Sequence, residues 1–143
     1  MLVRPTTRSI LFVLAAIAFG TSSYAKTEQM KRPASNDVIE ILILDIKPGK
    51  RDEFHKIYEK ESLPLLRKWK INVISYGPSL HDENSYYIIR SFKSLEDRQK
   101  SEDAFYSSDD WKNGPRMALL ALVDHFAYTV LPADTWKEIA KEL

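Results

Sequence analysis

The chain has 143 residues, with 21 Lys and Arg against 20 Asp and Glu, a formal charge of +1, three histidines and no cysteine. This near-neutral balance lacks the basic excess that nucleic-acid binding uses to displace counterions from phosphates, and it gives no pull toward an anionic membrane surface. The missing cysteine excludes disulfide staples, thiolate catalysis and thiolate metal ligands.

The segment 1–25 differs in character from the rest of the chain. Arg4 and Arg8 precede the apolar run 10–20, and a Ser-x-Ala step ends at Ala25. A basic start, an apolar stretch of about ten residues and small residues at its end predict a secretory signal peptide cleaved after Ala25. The run falls short of the roughly 20 apolar residues that span a bilayer. The expectation is therefore an exported protein, periplasmic or secreted, with no membrane association after cleavage. The leader holds two arginines and no acid, so removing it takes the charge from +1 to −1.

Segment 26–37 is polar, aperiodic and interrupted by Pro33, which predicts a flexible lead-in. Residues 38–46, VIEILILDI, are apolar on both faces apart from Glu40 and Asp45, the pattern of a strand covered on both sides. Ile39, Ile41 and Ile43 share one face; Val38, Leu42, Leu44 and Ile46 share the other. Lys-Pro-Gly-Lys at 47–50 leads into a helix whose apolar positions Phe54, Ile57, Tyr58, Leu65 and Trp69 recur at helical spacing. Pro64 has no N–H, and its ring crowds the preceding turn, so a kink or restart is expected near Leu63. Residues 71–77 and 86–92 read as the second and third strands, joined by a turn-rich connection. Ser94 is placed to cap a helix with Glu96 and Asp97 in its positive first turn, ending near Tyr106. Ser107 or Ser108 caps a further helix from Asp109, interrupted at Gly114 and Pro115 and continuing helically toward Asp124. Residues 125–131 form the last strand, and 133–143 a C-terminal helix capped by Asp134 or Thr135.

The order over 38–132 is β-α-β-β-α-β, the ferredoxin-like α+β arrangement with an antiparallel sheet and both helices on one face. The second, apolar face needs a cover. Another copy of the sheet supplies one, giving an isologous homodimer whose sheets close into a dimeric α+β barrel.

Four stretches carry a resemblance. EILILDIKPGKRDEFHKIYEKESLPLLRK resembles the opening of NIPSNAP-type domains, where a strand runs into Lys-Pro-Gly and then a helix with a Phe and a Leu-Pro. YYIIRSFKSLEDR is similar to their third strand, ending in Arg-x-Phe before a helix. AFYSSDDW and ALLALVDHFAYTVLPAD resemble their Phe-Tyr…Trp segment and closing strand with Leu-Pro. The resemblance implies the dimeric α+β-barrel superfold, which also hosts cofactor-free monooxygenases, haem-degrading enzymes and dehydratases. It carries no catalytic residue to this chain. The bacterial pattern tends to place Trp-Leu-Arg-Gly-Phe in the third strand, where this chain has Ile88, Ile89, Arg90, Ser91 and Phe92. A fold transfers by resemblance more readily than a reaction does.

The candidate site residues are few. No metal site is expected, because His55, His81 and His125 share no short ligand spacing. On the first helix Arg51, His55 and Glu59 recur every fourth residue and read as a solvated ion-pair ladder; His81 beside Asp82 reads as surface. No glycine-rich phosphate loop or serine elbow exists, so no cofactor is expected. His125, beside Asp124 at the start of the last strand, is a partly buried structural histidine or a catalytic candidate. Arg90 sits in an otherwise apolar strand and must be paired or face a cavity. Its structural reading is a cross-strand ion pair with Glu40. Its functional reading is an anion-binding arginine inside the barrel, with Tyr76, Tyr86 and Phe92 as aromatic walls and Trp111 as a candidate roof. Three functions stand as expectations: an exported dimer that binds a small apolar or aromatic ligand or a protein partner, a cofactor-independent monooxygenase or haem-modifying enzyme using Arg90 or His125, and a purely structural dimer.

Overall fold

Nine consecutive residues rich in Ile and Leu make β1 (Val38–Ile46) one of the two inner strands of the sheet. The computed structural model describes residues 36–142, so the signal-peptide segment 1–25 and nearly all of the lead-in 26–37 lie outside the described residues. β1 pairs antiparallel with β3 (Ser85–Phe92) on one side and β4 (Val123–Pro132) on the other, and β2 (Asn72–Pro78) completes a four-stranded sheet of order β2-β3-β1-β4. This is the ferredoxin-like α+β topology.

The helices between the strands lie on one face of the sheet. Between β1 and β2 run α1 (Arg51–Ile57), a π-helical turn (Tyr58–Ser62) and α2 (Leu63–Lys68) without a break. Pro64 cannot donate a hydrogen bond, and its ring would press on the carbonyl four residues back. The chain widens by one residue instead of breaking: the Leu63 N–H donates to the Tyr58 carbonyl, five residues earlier. The restart expected near Leu63 is therefore a wide turn in a continuous helical segment. Between β3 and β4 lie α3 (Leu95–Ser107), α4 (Asp109–Lys112) and α5 (Arg116–Leu120). The Ser94 hydroxyl accepts from the Asp97 N–H at 3.0 Å, and Ser108 accepts from the Trp111 N–H at 3.2 Å, so both serines cap as their positions predict. Asp110 accepts from Lys68 Nζ at 2.7 Å and Trp69 Nε1 at 3.0 Å, bonds that hold its carboxyl below the ordinary range and fasten α4 to the end of α2.

Two boundaries differ from expectation. The helix through Arg116 stops at Leu120, not near Asp124, because Val123 pairs with Ile46 across a bulge and sheet pairing takes over the chain. The last helix, α6 (Ala133–Lys141), starts one residue before Asp134, directly after Pro132. There the Ala133 N–H donates to the Asp37 carbonyl at 2.9 Å, so neither Asp134 nor Thr135 stands at its cap.

The core joins the helix-facing side of the sheet to the helices: Val38, Ile46, Tyr86, Ile88 and Phe92 pack with Phe54, Tyr58, Leu63, Leu66, Phe105 and Leu119. Ile39, Ile41, Ile43 and Ile89 point to the other face.

Candidate functional site

The helices cover β3 closely but leave room over β1 and β4. There a cavity of about 550 Å³ opens between the sheet and the helices, within the 300–1,000 Å³ common for small-molecule sites. Leu42, Leu44, Ile88, Leu66, Phe105 and Leu119 give it an apolar wall, and the half-exposed rings of Phe126 and Tyr128 border it on β4.

Four ionised side chains form one end of the wall. Arg90 and Glu40 stand directly opposite in the β3–β1 register, and Arg90 Nε donates to Glu40 Oε2 at 2.7 Å. Arg90 Nη2 donates to Glu102 Oε1 at 2.5 Å and Nη1 to the Tyr106 hydroxyl at 3.1 Å. Arg98 donates to Glu40 Oε1 from Nε at 2.9 Å and also from Nη2, its Nη2 lies 2.9 Å from Glu102 Oε2, and its guanidinium lies 5.0 Å from the centre of the Tyr128 ring. The quartet is neutral as a unit. Glu40 is 1% exposed and Arg90 3%, so both charges depend on these partners. Burial disfavours the Arg90 charge, yet Tyr106, Glu40 and Glu102 together hold its pKa above the ordinary value. Burial pushes the Glu102 carboxyl above its ordinary range, with Arg90 acting in opposition.

Two further residues line the cavity from the π-helical turn. Tyr58 and Ser62 both line it and are buried, and neither hydroxyl has a hydrogen-bond partner in the protein. Burial raises the Tyr58 phenol well above its usual pKa, with Arg90 pulling the other way, so it stays protonated.

The residues expected at the site divide. Arg90 and Trp111 both line the cavity. The cross-strand pair with Glu40 is present, but Arg90 points to the helix side of the sheet, not to the face on which a barrel would close. Tyr76, Tyr86 and Phe92 do not form its wall. Tyr86 and Phe92 share the helix-facing side of β3 with Arg90, and there the helices bury them in the core; the Tyr86 hydroxyl pairs with His55 Nδ1 at 2.7 Å. Tyr76 lies on β2, two strands from the cavity's floor, and its hydroxyl donates to Glu59 at 3.1 Å. His125 is exposed rather than partly buried, opposite Asp45 on the face away from the helices, and takes no part in the cavity. The ladder on α1 is incomplete: His55 Nε2 approaches Glu59 at 3.4 Å, but Arg51 turns away to the carbonyls of Ser79 and Asp82. Among the described residues no group of three or more His, Asp or Glu is placed to hold a metal ion, and no helix is long and apolar enough to cross a membrane.

Sequence reasoning missed Arg98, Glu102, Tyr58 and Ser62. Arg98 with Glu102 and Tyr58 with Ser62 are both four apart on helical segments, so the spacing was available. Only the fold shows that the two pairs face one cavity.

A family model described as NIPSNAP matches residues 39–132. Among solved structures, the chain is similar to a NIPSNAP family protein from Agrobacterium tumefaciens (19% identity, TM-score 0.63, covering 68% of this chain and 86% of that one). It is also similar to an uncharacterised NIPSNAP-like domain protein from Burkholderia xenovorans (21% identity, TM-score 0.63, 67% and 84% covered). A third neighbour is a protein provisionally assigned as an antibiotic biosynthesis monooxygenase, from Nitrosomonas europaea (11% identity, TM-score 0.53, 68% and 90% covered). No curated protein matches the sequence. At these identities the structural likeness establishes the shared fold.

Proposed function

The chain belongs to the NIPSNAP family, and on that premise we propose that it is an exported, homodimeric domain that holds a small apolar or aromatic ligand between the helices and sheet of each protomer. The observation that carries this reading is the cavity of about 550 Å³, whose wall is mostly Leu, Ile and aromatic side chains with a few fixed polar groups. Export rests on the basic, apolar and small-residue succession of 1–25, and the dimer on the apolar second face of the sheet.

A second reading, proton-transfer chemistry of the cofactor-independent monooxygenase kind, has one observation in its favour. Glu102 is a carboxyl of raised pKa at the cavity wall, the environment of a proton acceptor. Its oxygens are engaged by Arg90 and Arg98, which favours the binding reading.

The test uses the full chain expressed with its leader and recovered from the bacterial periplasm, titrated with the neutral fluorophore N-phenyl-1-naphthylamine. The expected result is saturable binding of one fluorophore per protomer, abolished in Leu119→Trp, whose larger side chain fills the cavity. The intact mass should begin at Lys26. Binding that is non-saturable or unchanged in Leu119→Trp would sink the ligand reading, and an uncut chain would sink export.

A further inference from the structure

The charged side chains around the cavity do not balance. Arg90, Arg98 and Arg116 stand against Glu40 and Glu102, a formal surplus of one positive charge in the lining. Arg90 and Arg98 are matched within the quartet, where each meets both carboxylates. An anion that went so deep would have to break these bonds and approach two carboxylates, so the quartet gives it little.

The surplus sits on Arg116. Arg116, Leu119 and Leu120 are spaced i, i+3 and i+4 on α5, which puts them on one face, and all three line the cavity. Leu119 is buried while Arg116 and Leu120 are exposed, so the arginine stands at the rim. Among the described residues it has no carboxylate partner, and its Nη1 only approaches Met117 Sδ at 3.8 Å. Phe126 and Tyr128 are the exposed members of the lining on β4, whereas Leu66, Ile88 and Phe105 are buried. The lining thus grades from a closed apolar interior to a rim of aromatic rings and an unpaired guanidinium.

We propose that the cavity takes an amphipathic anion: an apolar or aromatic body that enters between sheet and helices, with a single carboxylate that stays at the rim and pairs with Arg116. The planar fork of a guanidinium matches a carboxylate. A head group left at the rim keeps much of its hydration, so no charge is stranded in the interior. The same surplus of positive charge disfavours a cationic head. This inference rests on the ligand-binding reading of the cavity.

The experiment displaces N-phenyl-1-naphthylamine from the full, periplasm-recovered chain with three matched competitors: 2-naphthoate, its neutral isostere 2-naphthamide, and 2-naphthylmethylammonium. The carboxylate should displace the fluorophore roughly two- to fivefold more effectively than the amide, the range of an ion pair open to solvent, and the ammonium should be the weakest. That preference should shrink as sodium chloride is raised from about 0.01 to 0.5 M. It should vanish in Arg116→Gln and turn toward the ammonium in Arg116→Glu. Because Arg116 is exposed and without an ion pair, both variants should melt within a few degrees of the wild type. Equal displacement by the carboxylate and the amide overturns the assignment while leaving the cavity reading standing, and so does a preference for the carboxylate that persists in Arg116→Gln. Failure of the fluorophore itself to bind the wild type removes the cavity reading and this inference together.

Discussion

Arg90 and Glu40 are both almost fully buried in the structure, and each carboxylate of the quartet contacts both arginines. Replacing such a cluster whole by apolar residues is often neutral, but removing one partner strands the others. Arg90→Met should therefore cost about 3–5 kcal/mol, read as a lowered midpoint in urea unfolding at unchanged slope. Arg98 still faces both carboxylates, which places the expected loss toward the lower end. A loss below about 1 kcal/mol, the range of an exposed pair, would show that the quartet does not hold β1, β3 and α3 together. Arg90 was legible in the sequence because a guanidinium within IIRSF has no apolar solution, and its cross-strand partner followed from the strand order. Glu102 and Arg98 were not, since a charged pair spaced by four on a helix usually marks a solvated face. The exposure of His125 was not legible for a related reason: alternation assigns it to a face of β4 but does not say which face the helices leave open.

Lys70 closes the helical segment in a conformation that its side chain resists. Its φ is 59°, the left-handed region that favours glycine. The hydrogen bonds explain why the position is held there. The Ile71 N–H donates to the Leu66 carbonyl at 2.9 Å and the Lys70 N–H to the Arg67 carbonyl at 3.0 Å, the Schellman pattern, with Ile71 and Leu66 both buried beneath it. Lys70→Gly removes the Cβ conflict and adds unfolded-chain entropy, effects of opposite sign. The net expectation is a gain of about 0.5–1 kcal/mol, seen as a higher urea midpoint; a lower midpoint would refute the strain. Element order, both serine caps and the four strands were readable from periodicity and turn residues. The π-helical turn was not, because Pro64 announces a disturbance without saying whether the helix breaks, kinks or widens. The end of α5 was missed because the apolar run after Arg116 suits a helix as well as a strand, and pairing with Ile46 decides between them.

At the scale of the whole molecule, the sheet has an apolar face that the helix-side core does not use. Ile41 and Ile43 lie at its centre on β1, with Tyr87 and Ala127 opposite Ile43 on the two neighbouring strands. Ile43 is 42% exposed in the single chain, an unfavourable place for a β-branched apolar residue in the middle of a central strand. A second copy related by a two-fold axis would set the same residues against each other and cover them, and the proposed homodimer predicts that arrangement. The consequence is sharpest for a charge placed at that position. Ile43→Asp leaves the helix-side core untouched, so the monomer should keep its far-UV circular dichroism. In the dimer the new carboxylates would be buried near their symmetry mates without partners, at a cost of several kcal/mol. That corresponds to a dissociation constant raised by roughly a hundredfold or more. Sedimentation equilibrium should find the wild-type chain dimeric at micromolar concentration and the variant monomeric. A wild-type monomer under those conditions, or a variant that dimerises as tightly as its parent, would show that the second face is covered by something other than its own copy.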